Sequence, residues 1–153
     1  MKKKDVNEQA ATYLSRRRYT REELRAKLVQ DGFSEEDILL TIDSFTSDGY
    51  INDQEYVKVF IEQKRRYHPL GLITLQFELE KRGIPGSLLD NLREEKYTFQ
   101  DEVDDCTTLL QKWMPGDDDR KTVFHRLMRR GFVLPAIEDA WSRFQKQDPV
   151  SGS

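Results

Sequence analysis

One cysteine, Cys106, two histidines and five prolines among 153 residues set the first limits on this chain. A single thiol excludes an intramolecular disulfide framework and fits a reducing compartment. His68 and His125 stand far from each other and from Cys106, so no close metal-ligand spacing exists and neither a metal nor a cofactor is expected. Cys106 falls on the apolar side of its helical pattern, which reads as a buried structural thiol rather than a nucleophile. No apolar run approaches the ~20 residues that span a bilayer as a helix. Lys2 to Lys4 are followed by Asp5, Asn7 and Glu8 instead of an apolar stretch, so no secretory signal is expected and a cytoplasmic location is. An excess of one charge is missing too. The 25 basic and 28 acidic residues leave a net charge of -3, distributed as -1, 0 and -2 over residues 1–50, 51–100 and 101–153. Bulk attraction to nucleic acid is therefore not expected, although local basic clusters can still act.

What the chain has in abundance is charge interleaved with helical apolar stripes. At 35% charged and 37% hydrophobic it is lean for a compact sphere and ordinary for an elongated helical protein with much solvated surface. Ala10, Ala11 and Leu14 give a first stripe over about 7–17. Thr20 and Glu23 form a capping box ahead of a second helix carrying Leu24 and Leu28. Ser34 caps a third, with Ile38, Ile42 and Phe45 on its buried face. Asn52 or Asp53 caps a fourth, with Tyr56, Val57, Phe60 and Ile61 apolar. Leu72, Leu75 and Leu79 define a fifth, and Leu88, Leu89 and Leu92 a short sixth, followed by a helix end plus connector over Arg93 to Lys96. Thr98 and Asp101 make a second capping box before Val103, Cys106, Leu109, Leu110 and Trp113. Asp117, Asp118 and Asp119 precede an eighth helix with Val123, Phe124, Leu127 and Met128, and Leu134, Ile137, Trp141 and Phe144 mark the last. The tail from Lys146 to Ser153 is expected to be disordered.

A repeat runs through this pattern. Leu28-x-x-x-Gly32-Phe33, Leu79-x-x-x-Gly83-Ile84 and Leu127-x-x-x-Gly131-Phe132 share one closing signature, preceded four residues earlier by Leu24, Leu75 and Val123. Ile38, Leu89 and Ile137 follow the glycines at offset six, and the glycines are 51 and 48 residues apart. This spacing predicts an all-α, elongated array of three tandem three-helix repeats, 1–49, 50–96 and 97–147, with a tail over 148–153.

The charged residues suggest two kinds of site. Asp101, Glu102, Asp104, Asp105 and Asp117 to Asp119 would suit magnesium, but placement at helix N-termini accounts for them without a metal. The basic residues Arg16, Arg17, Arg18, Lys64, Arg65, Arg66, Lys81, Arg82, Arg129 and Arg130 all fall at helix C-termini, where the helix dipole alone favours cations. Tyr67 and His68 extend one of these groups with rings that can pack on a partner or stack on bases. A helical nucleic-acid-binding factor acting through basic helix ends is one reading of this pattern.

Three ordered motifs point to another. Arg17-x-Tyr19-Thr20-x-x-Glu23-Leu24-x-x-Lys27-Leu28-x-x-x-Gly32, then Gly49-Tyr50-Ile51-Asn52-Asp53, then Gly71-x-x-x-Leu75-x-x-Glu78-Leu79-x-x-x-Gly83-Ile84 together resemble the RecX family of bacterial recombination regulators. The motifs cover about residues 10 to 90, and the third repeat matches in pattern. The resemblance implies a curved array of these repeats, a non-enzymatic monomer that lies in the helical groove of the RecA filament, bridges protomers and inhibits ATP hydrolysis, strand exchange and coprotease activity. It implies a setting in DNA repair and the SOS response, weaker contact with single- or double-stranded DNA, and no small-molecule substrate. Where family members commonly have Gly-Pro and then a basic residue, this chain has Gly71-Leu72 and Thr74, which favours protein contact over DNA contact. Replacing Arg65 and Arg66 by Glu is expected to weaken inhibition without unfolding the protein.

Overall fold

Six of the helices begin where a short polar side chain satisfies a free backbone amide, and several end where glycine turns left-handed. The structure, a computed structural model, describes residues 4–114, 116 and 119–147, and among them it is all-helical. The helices are α1 (Val6–Arg16), α2 (Arg21–Gln30), α3 (Glu35–Ser47), α4 (Asp53–Tyr67), α5 (Leu72–Lys81), α6 (Gly86–Leu89), α7 (Phe99–Trp113), α8 (Arg120–Arg129) and α9 (Leu134–Gln147). Both capping boxes form: Glu23 N–H donates to Thr20 Oγ1 and Thr20 N–H to Glu23 Oε1, each at 3.0 Å, and Thr98 and Asp101 repeat the exchange. Asp5, Ser34 and Asp119 cap α1, α3 and α8. Of the two candidates for α4, Asn52 is the cap, accepting from Glu55 N–H at 3.0 Å. Asp53 instead accepts from the first amide of α2, Arg21 N–H, at 3.0 Å.

The three closing turns share one geometry. Gly32, Gly83 and Gly131 have φ of 94°, 83° and 88°. In each, the residue after the glycine donates to the carbonyl five positions back: Phe33 to Leu28 at 3.3 Å, Ile84 to Leu79 at 3.1 Å and Phe132 to Leu127 at 3.3 Å. This is the hydrogen-bond pattern of a Schellman turn, and it needs the left-handed residue that glycine supplies without a Cβ penalty. The leucines and valine before each turn, Leu24, Leu28, Leu75, Leu79, Val123 and Leu127, are fully buried. The correspondence loosens at offset six, where Ile38 and Ile137 are fully buried and Leu89 is half-buried.

The chain folds into two compact units. The first takes residues up to Val59 together with Leu79–Gly86, and the second takes Phe60–Glu78 together with the residues from Ser87 on. The first is built on Ala10, Tyr19, Leu24, Leu28, Ile38, Ile42 and Ile51. The core of the second comes from α7, α8 and α9, through Val103, Cys106, Leu109, Leu110, Trp113, Val123, Leu127, Phe132, Ala136, Ile137 and Ala140. Burial pushes the Cys106 thiol far above its usual range, as expected for a structural cysteine. Leu92–Lys96 forms a π-helical turn, in keeping with a helix end over Arg93 to Lys96. Two local expectations are revised. Lys146 belongs to α9 rather than to the tail, whose residues 148–153 lie outside those described, as do Asp117 and Asp118. Met128 and Leu134, read as core-facing, are 49% and 43% exposed.

Candidate partner-binding surface

The basic helix ends expected to meet a partner gather into two groups, one in each unit. In the first, Arg16, Arg17 and Arg18 are exposed at the end of α1. Arg17 folds back so that its guanidinium carbon stands 3.6 Å above the Tyr19 ring, within cation–π range. Its Nη1 donates to Arg18 O at 2.7 Å and reaches Glu23 Oε1 at 3.4 Å. The end of α5 is tied to this region by Thr20 Oγ1, which donates to Arg82 O at 2.7 Å. Gly83 makes the approach possible, because a Cβ there would collide with Cβ of Glu22. Burial and the Glu23 charge raise the Tyr56 hydroxyl pKa, while Arg82 and Arg17 oppose the rise, so both cations lie around the same phenol. Lys81 is exposed beside them.

In the second unit, the end of α4 meets the end of α8. Arg130 Nη1 donates to Pro69 O at 3.1 Å, and Arg130 O accepts from Gly71 N–H at 2.9 Å. Slight burial lowers the pKa of His68 below its ordinary value, and the nearby charges of Arg130 and Lys64 lower it further. The Trp113 ring carries Arg126 at 3.8 Å and Arg130 at 5.2 Å. Arg66, Tyr67, His68 and Arg129 are exposed. Arg65 is placed differently. It is half-buried, with Nε 3.1 Å from Asp105 Oδ2 and Nη1 3.3 Å from Asp101 Oδ1, so its charge is spent on the fold. Reversal of Arg65 would therefore break its pairs with Asp101 and Asp105, so the expectation of a change without structural cost is kept for the exposed Arg66 alone.

Two acids that sequence reasoning assigned to the start of α7 turn out to organise this surface. Glu102 is fully buried, and its Oε2 accepts from Leu72 N–H at 3.2 Å and from Val133 N–H at 2.9 Å, binding the starts of α5 and α9. Its Oε1 makes no well-angled hydrogen bond but lies 2.6 Å from Arg93 Nη2, so charge satisfies it. Asp105 pairs with Arg65 and lies 3.0 Å from Tyr97 Oη, which is also 3.2 Å from Leu70 O. Burial raises the Asp105 pKa against the lowering effect of Arg65 and Tyr97. Ile73 N–H donates to Gly131 O at 3.1 Å, and a Cβ on Gly71 would collide with the Phe132 backbone. These contacts fix the 69–73 turn against the 130–133 turn and bring the charges of Lys64 and Arg130 to bear on His68. A signal existed in the sequence. Residues 102, 106, 109 and 113 follow helical spacing, which puts Glu102 on the stripe of Cys106, Leu109 and Trp113. Among the described residues no group of three or more His, Cys, Asp or Glu side chains converges as a metal site would require.

Comparison with known proteins agrees with the motifs. A family model described as RecX, first three-helix domain, matches residues 8–45. The regulatory protein RecX of Prosthecochloris aestuarii is 33% identical over 133 residues, which is 84% of this chain and 85% of that protein. A regulatory protein RecX of Thermus thermophilus is 30% identical over 139 residues, covering 90% of this chain and 91% of its own length. In fold, a crystal structure of RecX from Lactobacillus salivarius superposes with a TM-score of 0.81 at 22% identity, over 92% of this chain and 94% of that one.

Proposed function

This chain belongs to the RecX family of regulatory proteins, and from that premise we propose that it is a non-enzymatic cytoplasmic regulator that binds the RecA filament on DNA and restrains ATP hydrolysis, strand exchange and coprotease activity. The observation that supports this reading most is the convergence of basic helix ends with exposed rings. Lys64, His68 and Arg130 come together in one unit, with Arg66, Tyr67 and Arg129 next to them in sequence, and Arg17 and Arg82 in the other, with Arg16, Arg18 and Lys81 next to them in sequence. Cations beside aromatic side chains suit a protein partner that presents carboxylates around apolar contacts. Two such groups on one chain suit a partner with repeated subunits, because the second contact becomes intramolecular once the first has formed. The regulator lies in the filament groove and bridges neighbouring protomers. It changes the filament by binding one of its states more tightly than another, which is the one thermodynamic route open to a ligand.

The test is co-sedimentation with RecA filaments assembled on single-stranded DNA. The wild-type chain pellets with the filament, and an Arg66→Glu, Arg129→Glu double variant pellets less at the same concentration. A wild-type chain that stays in the supernatant would exclude the reading. The net charge of -3 weighs against a nucleic-acid-binding factor that works without RecA. Salt-dependent binding to bare DNA of equal or greater strength would reverse that preference.

A further inference from the structure

The helix pair α8–α9 carries a groove that lies apart from the basic helix ends. Arg120, Lys121, Phe124, His125 and Met128 of α8 face Leu134 and Glu138 of α9 around an open cavity of about 510 Å³. The opposite side of α8 is the core side, with Val123 and Leu127 fully buried. The floor is stiff. Phe124 packs edge-on against Trp141 with centroids 5.7 Å apart, and Trp141 packs against Phe144 at 6.3 Å. Met128 and Leu134 leave about half of their surface to solvent, and methionine adapts its shape to whatever covers it. One end of the groove is cationic: the Arg120 guanidinium carbon stands 4.6 Å above Phe124 and 6.0 Å from Trp141. A guanidinium that rests near an aromatic ring still has N–H donors to offer a carboxylate. Lys121 and His125 add two more nitrogen-bearing side chains to the rim, against Glu138 as the one carboxylate of the lining.

We infer that this groove docks a short helical segment of a protein partner, with apolar anchors three and four residues apart and carboxylates at the end that meets Arg120 and Lys121. The volume accommodates a few anchoring side chains, as helix-in-groove recognition requires. The charge of the rim selects the partner's sign, since a basic segment would set its cations against Arg120 and Lys121. The inference goes beyond the filament reading and stands on different residues.

The probe is a synthetic fourteen-residue helical peptide carrying Leu at positions i, i+3, i+4 and i+7 and Glu at the remaining exposed positions of one end. Two controls accompany it: one with every Glu replaced by Lys, the other with every Leu replaced by Ala. Binding to the full chain is followed by fluorescence anisotropy and by amide chemical shifts. The acidic peptide is expected to bind, to shift amides within 120–128 and 134–138, and to lose at least about tenfold in affinity with either control, about 1.4 kcal/mol. Lys121→Glu and the milder Met128→Ala each weaken it. Equal binding of the Lys peptide, shifts confined elsewhere, or no binding at peptide concentrations near about 1 mM would overturn the inference.

Discussion

Arg65 is half-buried between Asp101 and Asp105, whereas Arg66, next in the chain, is exposed with its guanidinium carbon 5.9 Å from the Tyr67 ring. The two arginines therefore answer different questions. Arg66→Glu is expected to leave the urea midpoint unchanged and to weaken filament binding. Arg65→Glu is expected to lower the midpoint clearly, because it turns an ion pair into three neighbouring carboxylates. Nothing in the local sequence separates the two, since the acids that claim Arg65 lie about forty residues further along the chain. Asp105 gives a second test at this scale. Burial holds its folded pKa above the unfolded value, so between those two values the folded state binds more protons than the unfolded state. The sign follows: its contribution is complete below the ordinary aspartate range and is lost as pH rises through the raised folded pKa. Asp105→Asn should remove that slope, so the stability of wild type relative to the variant falls as pH is raised from about 4 to about 7. Urea unfolding of both proteins across the range checks it, and a flat difference would show that Asp105 ionises as freely in the fold as outside it.

The individual helices were legible because the rules that fix them are local. The capping boxes at Thr20–Glu23 and Thr98–Asp101 and the glycine turns at Gly32, Gly83 and Gly131 depend on residues a few positions apart. Leu79, identified by its spacing from Leu75 and Gly83, is fully buried. Its replacement by alanine is expected to cost about 2–5 kcal/mol in chemical denaturation. The links among helices were not legible in the same way. Glu102 carries one carboxylate to the amides of Leu72 and Val133, each about thirty residues away in opposite directions. Leu72 N–H is one of the amides left free at a helix start, and a proline at that position would have no N–H to offer. Glu102→Ala would strand both amides and leave Arg93 without its buried partner, for a loss of about 3 kcal/mol or more. Glu102→Gln, which keeps an acceptor, should recover part of it. If both variants unfold as wild type does, the carboxylate does not join the two helix starts.

For the molecule as a whole, the near-neutral charge balance conceals an uneven placement of charge. Basic residues more than sixty positions apart in sequence meet in space, Lys64 and His68 with Arg130 and Arg17 with Arg82, while many acids are engaged in caps and buried pairs. Family membership was readable from three spaced motifs, and a relative 33% identical over 133 residues agrees with them. The composition of the candidate surface was readable only in part, because a residue's exposure depends on partners distant in the chain. Regulation by differential binding makes a quantitative demand at this scale. A ligand that favours a less active filament state must lower turnover as its occupancy rises, and it must do so without hydrolysing anything itself. The direct measurement is RecA ATP hydrolysis on single-stranded DNA, titrated with this protein from well below to above one molecule per RecA protomer. A regulator of this kind produces a saturable fall in the hydrolysis rate that is blunted by Arg66→Glu; a rate that stays constant through stoichiometric excess, with folded protein, would contradict it.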